Sequence, residues 1–469
     1  NTIACLRLSN SRPSSIMRWA LIGGGMCAAA HAQATQNAPQ RVLTAESSPM
    51  SAKPSPALGV GHFSEWSRAT KRDFLIDWQG GKSSEWTVVL GNEGGDLDSM
   101  TAALTWAYHL DHSTQNSSHP RKAIALLQTP TDALDLRPEN ILALANSQMT
   151  PGHSDLMTMN ELPEDPETLS LKIQGIVLVD HPAPLPRWDD AKVLSIFDHH
   201  VDQGAAPDAS PRIFAKTASG TTVVAKQMLD ELENLPEEYH LPHELLQLML
   251  SAIAIDSKGL KPKKSTAADV DAAERILRRS DWHGRNLRHM MKKINRPLKA
   301  AKKDISHLGV RDLLRRDWKS ARIDTPSPHT PTINLGLASI PYSLSNQIEK
   351  TDFTALFSWF ATHAAWTAES HTDVSVTLNK YKVKTASGEK KKIREIVLVV
   401  RHDIRVGGQQ ADEIFNLLKK TIEENEYFAV QPWERAGELG KRQMAWTHES
   451  DAGRKVVMPL LEKALYKHW

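Results

Sequence analysis

Four short apolar runs in the first part of this chain each give way to aspartate. Trp86–Leu90 leads into GNEGGDLDS, which carries Asp96 and Asp98. Ile176–Val179 ends in Asp180, Val193–Phe197 in Asp198-His199-His200, and Met249–Ile255 in Asp256. Runs of this length bounded by Gly and polar residues read as strands buried on both faces, although Met249–Ile255 fits a helix equally well on periodicity. A fifth run, Ala123–Leu127, precedes the polar loop TPTDALDLRPEN, and helical stretches such as MTAALTWAYHL alternate with the runs. The alternation predicts an α/β domain with a mainly parallel sheet flanked by helices. Ligands of such sheets bind outside the carboxyl ends of the strands. Four strand ends would therefore bring Asp96, Asp98, Asp180, Asp198 and Asp256 to one crevice.

Any one of these aspartates could be no more than a helix N-cap. Their conjunction says more, because carboxylates packed together repel and metal ions are the usual resolution. The only cysteines are Cys5 and Cys27. That excludes a disulfide scaffold, a Cys-ligated zinc site and a cysteine nucleophile from the rest of the chain. Aspartates with His199 and His200 and no thiolate suit Mg²⁺ or Mn²⁺ better than structural zinc. Shared carboxylates suit a pair of ions ~3.5–4 Å apart that clamps a phosphoryl group and activates water.

The chain has 469 residues, enough for two or three domains. Its 57 Lys+Arg nearly balance 55 Asp+Glu, which argues against a tail-like nucleic-acid binder. Residues 1–62 are expected to be a disordered leader. The stretch from Met17, MRWALIGGGMCAAAHAQA, has the outline of a signal peptide; the alternative is a leader ahead of true initiation at Met50. The expected compartment is the cytoplasm, or the exterior or an organelle if that stretch targets the chain. No later segment is apolar enough to span a membrane.

Residues 63–310 form the expected catalytic domain, 311–329 a linker and 330–469 a second, α+β domain with a mixed sheet. The second domain's strands are predicted at Thr332–Ile340, Asp373–Leu378 and Ile393–Val400, with helices at about 407–423 and 452–466. Between the domains, residues 258–319 carry 19 Lys/Arg against seven Asp/Glu. They read either as solvated helix faces or as an electrostatic funnel for a polyanion, with Lys261 and Lys263 its expected contacts.

GNEGGDLDS, IVLVDHP, IFDHHVD, AIAIDS and GRKVVMP occur in the order seen in the DHH phosphoesterase superfamily, which this chain resembles over about residues 65–469. The nearest likeness is to exopolyphosphatases of the fungal type, a branch that also resembles prune proteins and manganese-dependent inorganic pyrophosphatases. The resemblance implies metal-dependent hydrolysis of the terminal phosphate of inorganic polyphosphate, with two Mg²⁺ or Mn²⁺ ions. It implies metal ligation by Asn92, Asp96, Asp98, Asp180, His199 and Asp256, with Asp180 bridging and Asp198 orienting His199. It implies phosphate contacts from His200, Lys264, Arg394, Arg454 and Lys455. No nucleic-acid or membrane partner is implied, and the chain is expected to be a monomer. Alternatives are a pyrophosphatase or a prune-like phosphohydrolase of cyclic nucleotides or short nucleoside polyphosphates, a prune-type regulatory binding protein, and a single-strand nuclease. DHH nucleases typically carry a different C-terminal domain. Asn92 stands where many relatives have His, and an amide ligand would tilt selectivity toward Mg²⁺. The resemblance gives His181 no role.

Overall fold

The computed structural model describes residues 61–113, 122–150, 154–233, 241–351, 354–385 and 387–469. The expected leader lies outside them, apart from its last two residues. The first half contains strands β1 (Trp86–Leu90), β2 (Lys122–Leu127), β3 (Met157–Thr158), β4 (Gly175–Val179), β5 (Val193–Asp198) and β6 (Arg212–Phe214). Its helices are α1 (His62–Gln79), α2 (Leu97–Ser113), α3 (Pro138–Asn146), α4 (Pro166–Ser170), α5 (Gly220–Leu232), α6 (His243–Asp256), α7 (Ala267–Arg279) and α8 (Leu287–Ala301); α9 (Val310–Arg316) opens the second half. The strands form a parallel sheet in the order β3-β2-β1-β4-β5-β6.

That order reverses between β1 and β4, so the loops after these two strands diverge and leave a crevice at the carboxyl edge. Both faces of the sheet are covered. Val89 and Val177 point into a core shared with α2, α5 and α6, while Trp86, Val88, Leu90, Ile176 and Leu178 point into a second core with Phe74 of α1. Burial on both faces is why these strands read as unbroken apolar runs.

Met249–Ile255 is helical rather than extended. It lies within α6, which is buried from Glu244 through Ile255, so no polar face marks its helical period. Asp256 therefore ends a helix, and three strand ends supply the crevice instead of four.

The second half begins earlier than expected. The stretch 311–329 holds most of α9 and all of β7 (Trp318–Asp324). β7 pairs along its whole length with β8 (Thr332–Ile340), so a segment read as linker is an edge strand. Basic residues and an exposed outer face hid it: only Ile323 of β7 is buried. The remaining strands are β9 (Val374–Lys384), β10 (Lys390–Val400), β11 (Gln431–Pro432) and β12 (Gln443–His448). The sheet runs β11-β12-β10-β9-β8-β7 and is mixed, with β8 and β9 parallel and the other neighbours antiparallel. Its helices are α10 (Leu344–Ile348), α11 (Leu356–Glu369), α12 (Gly408–Glu423) and α13 (Arg454–His468). α12 and α13 cover one face and α9 and α11 the other. No described helix is long and apolar enough to cross a membrane.

Reciprocal arginine contacts tie α9 to the first half. Arg137 donates to the Arg316 carbonyl at 2.8 Å, Arg316 to the Leu136 carbonyl at 3.0 Å, and Arg315 to Asp132 at 2.7 Å.

Candidate metal centre

After β1 the chain turns through Gly91–Asp96 into α2. Asp96 caps that helix: its carboxylate accepts from the Ser99 N–H at 3.1 Å. Burial would raise its pKa, but Arg137, the Ser99 N–H, Lys302 and Lys319 together hold it below the usual carboxylate value. Asp98, two residues on, reaches the start of α5. It accepts from Ser219 Oγ at 2.5 Å, Gly220 N at 2.6 Å and Thr221 N at 2.8 Å, an anion on a helix N-terminus.

β4 ends where Asp180 adopts φ 55°, a left-handed conformation that Asp tolerates better than most residues. Its Oδ2 accepts from Ser99 Oγ at 2.5 Å and Asn92 Nδ2 at 2.8 Å. Its buried Oδ1 has no hydrogen-bond partner among the described residues, though His199 Nε2 lies 3.1 Å away and His200 Nδ1 3.7 Å. Gly220 packs directly on this residue: a Cβ there would stand 2.9 Å from the Asp180 Cβ, so any side chain at 220 would displace the carboxylate. Burial, and then the charge of Asp98, raises the Asp180 carboxyl to about 7, despite the opposing pull of His199.

β5 delivers Asp198-His199-His200. Asp198 was expected to orient His199, and the structure assigns it differently. Asp198 Oδ1 accepts from His200 Nδ1 at 2.9 Å and from the His199 backbone N–H at 2.7 Å. The His199 ring is oriented by the Thr217 carbonyl, 3.2 Å from its Nδ1. That carbonyl can only accept, so the proton sits on Nδ1 and Nε2 is aimed at Asp180. Burial opposes charge on His199, but Asp180 and Asp98 outweigh it and lift the ring to about 10.

Asp256 completes the cluster from the end of α6. Burial first, then the charges of Asp98, Asp96 and Asp180, push its pKa well above the usual value, partly offset by Lys302.

Asn92 does not present its amide oxygen to the crevice. Its Oδ1 accepts from Gly94 N at 2.8 Å and its Nδ2 donates to Asp180. Gly94 can only donate and the carboxylate can only accept, so the network fixes the amide's orientation. Asn92 steadies Asp180 here, and the amide-ligand argument for Mg²⁺ has no support in this geometry.

Asp180, Asp198, His199 and His200 each offer one ligand atom, all within 4.8 Å of one another. Asp180 Oδ1 and Asp198 Oδ2 are buried without hydrogen-bond partners among the described residues. Buried orphan oxygens among crowded acids fit a hard divalent cation. The cluster opens into a cleft of about 880 Å³ lined by Asp180, His181, His199 and His200 from the first half and by Lys319 and Lys455 from the second. His181 is held neutral near 4 by burial and then Lys319, and its Nε2 has no partner among the described residues.

The other proposed phosphate contacts divide. Lys455 reaches the cleft. Arg454, beside it, is committed to Asp317 through the carbonyl at 3.1 Å and the carboxylate at 3.0 Å. Arg394 donates to the Ser450 carbonyl in the loop that leads to α13. Lys264 is exposed in the turn after α6, with no hydrogen bond or ion pair to the centre among the described residues. Lys261 and Lys263 are exposed in the same turn, and Arg275 is spent on Asp230 and Glu233. The basic stretch is thus split up, and of its residues Lys302 and Lys319 act on the acid cluster. Sequence reasoning missed Lys319, Arg137, Ser99 and Thr217. Lys319 was counted within the basic stretch, but only recognition of β7 would have placed it at the cleft.

Residues 86–253 match the DHH family, N-terminal domain, and residues 296–464 match the DHHA2 domain. The chain belongs to the DHH phosphoesterase superfamily. It is 28% identical over 272 residues to a Schizosaccharomyces pombe protein described as "Putative exopolyphosphatase", covering 55% of this chain and 67% of that one. It is 30% identical over 243 residues to rat (Rattus norvegicus) "Exopolyphosphatase PRUNE1", covering 50% of this chain and 49% of that one, so the match spans about half of that relative. A "Probable manganese-dependent inorganic pyrophosphatase" of Lactobacillus delbrueckii is 23% identical over 263 residues, 55% of this chain and 73% of that one. The crystal structure of a Methanococcus jannaschii putative family II inorganic pyrophosphatase aligns with 81% of this chain and 99% of its own, at 18% identity and a TM-score of 0.47.

Proposed function

We propose that this DHH phosphoesterase is an exopolyphosphatase of the fungal type, removing the terminal phosphate of inorganic polyphosphate as orthophosphate. The observation that carries the reading is the cleft itself, an acid and imidazole floor facing Lys319 and Lys455. A polyphosphate end bears negative charge on every unit, so metal-gathering acids under its last phosphate and lysines beside the preceding ones are complementary. The likeness to the S. pombe protein and to PRUNE1 supports the same substrate.

Asp96, Asp98, Asp180, His199 and Asp256 would hold divalent ions, two of them if Asp180 is shared, as Mg²⁺ or Mn²⁺. Such ions supply Lewis-acid polarisation and a hydroxide nucleophile near neutral pH. The chain's own groups prepare the floor. Ser99 and Asn92 pin one oxygen of Asp180, and the Thr217 carbonyl fixes His199 with Nε2 free of its proton once ligated. Asp198 holds the His200 ring through Nδ1, so that the imidazolium form could donate from Nε2 to a phosphoryl oxygen. Lys455, in the first turn of α13, adds its charge to the positive end of that helix. Arg454 can touch substrate only by releasing Asp317; in the arrangement seen it positions α13 against β7.

The Lactobacillus relative favours a second reading, hydrolysis of pyrophosphate. One experiment separates them: orthophosphate release by the purified protein from long polyphosphate, tripolyphosphate and pyrophosphate, with Mg²⁺ or Mn²⁺. The proposal expects kcat/KM for long polyphosphate to exceed that for pyrophosphate at least tenfold. The reverse order would replace it with the second reading.

A further inference from the structure

The β9–β10 hairpin outruns its neighbours. The two strands stay paired from Val374 and Val400 out to Lys384 and Lys390, whereas β8 follows β9 only to Asn379 and β12 follows β10 only to Arg394. Beyond those points the hairpin is a two-stranded ribbon. Its register sets Lys380 opposite Arg394, Lys382 opposite Lys392, and Lys384 opposite Lys390.

Side chains alternate between the faces of a strand, so these six cations share one face. It is the face that continues inward through Val376, Leu378, Ile396 and Leu398 to the core under α12 and α13. The other ribbon face differs: there Lys391 pairs with Glu449, and Tyr381 bonds Glu395. On the cation face, Asp451 acts on Lys380 and Arg394 at the root. Lys382, Lys384, Lys390 and Lys392 are exposed and make no hydrogen bond or ion pair among the described residues. Like charges directly opposite across antiparallel strands destabilise one another, and three such pairs lie in a row here.

The row also leads to the cleft. Arg394 at its root bonds the Ser450 carbonyl, and the loop from that residue runs directly into Arg454 and Lys455 of α13. From there the four-residue step from Lys380 to Lys384 extends the track by about 13 Å.

We infer that this ribbon is an exosite for the distal part of a polyphosphate chain whose end lies in the cleft; the choice of occupant rests on the exopolyphosphatase reading. The chemistry favours polyphosphate over single-stranded nucleic acid. Binders of single strands stack bases on aromatic rings, and the ribbon's aromatic residue, Tyr381, is on the opposite face.

The test is a variant of the full chain with Lys382→Gln, Lys384→Gln, Lys390→Gln and Lys392→Gln. Its binding to fluorescent long polyphosphate is read by anisotropy across a salt series with divalent metal withheld. The expected result is about tenfold weaker binding at low salt. The slope of log affinity against log salt should fall by about 3, at ~0.7 per lost contact on a single-stranded polyanion. A variant carrying only Lys384→Gln and Lys390→Gln should lose about half of that slope. With metal present, KM for long polyphosphate should rise while that for tripolyphosphate stays put. Unchanged binding and slope would overturn the exosite, as would equal KM changes for the two substrates. Tighter binding of an oligonucleotide of equal charge, lost in the same variant, would overturn its occupant. If the protein binds long polyphosphate through the ribbon yet releases no phosphate from it, the exosite stands and the exopolyphosphatase reading falls.

Discussion

Binding a divalent metal should expel protons, and the acid cluster sets how many. His199 is lifted to about 10 by Asp180 and Asp98, so at pH 8 it is almost wholly protonated, yet its Nε2 can ligate only when neutral. Ligation therefore releases about one proton. Asp180, at about 7, is roughly one-tenth protonated at pH 8 and nine-tenths at pH 6. The total therefore lies between one and two protons, nearer one at pH 8 and nearer two at pH 6, before any share from Asp256. Log affinity rises per pH unit by the number of protons released, so affinity should climb about 10³-fold from pH 6 to pH 8. Titration calorimetry in two buffers of different ionisation enthalpy reads the proton count directly. His199→Asn should lower the count at pH 8 by about one. Release below about half a proton at pH 8, or an affinity flat across this range, would refute the assignment of a charged His199 beside Asp180.

Without metal, the folded state holds the Asp180 proton more tightly than the unfolded chain does. That stability is complete below pH ~4 and is lost as pH rises through about 7, on the order of 4 kcal/mol for Asp180 alone. Denaturant midpoints of metal-stripped protein should fall from pH 4 to pH 8, and metal should restore them. Asp180→Asn should cut kcat at least ~10³-fold while leaving a folded protein, because Asn can still accept from Ser99 and Asn92. Asp98→Ala leaves three donors at the start of α5 without their acceptor and should cost about 3 kcal/mol in urea unfolding of metal-stripped protein.

The strands that frame the site were legible because burial on both faces leaves an unbroken apolar run, and Trp86–Leu90 matches β1 residue for residue. The same logic failed at Met249–Ile255, where a helix buried all round lacks the polar stripe that would betray it. It failed again at β7, whose exposed, basic residues look like linker and are ordered by pairing with β8. The acids were legible as a set, since their places at element ends show in the sequence. Their partners were not: whether Asp198 holds His199 or His200 depends on which ring nitrogen meets the Thr217 carbonyl, a contact 18 residues away along the chain. The cation ribbon was hidden for a similar reason. Lys380 and Arg394 become neighbours only once the hairpin register is known.

On the exopolyphosphatase reading, the Asp180 cluster together with Lys319 and Lys455 cleaves polyphosphate from its end. The most direct test follows the product distribution from a long polyphosphate of uniform length as wild type and Asp180→Asn act on it with Mg²⁺ or Mn²⁺. Orthophosphate should be the sole small product from the first turnovers, chains should shorten one unit at a time, and both should be lost in Asp180→Asn. Mid-length fragments appearing before orthophosphate, or phosphate release that survives Asp180→Asn, would contradict that reading.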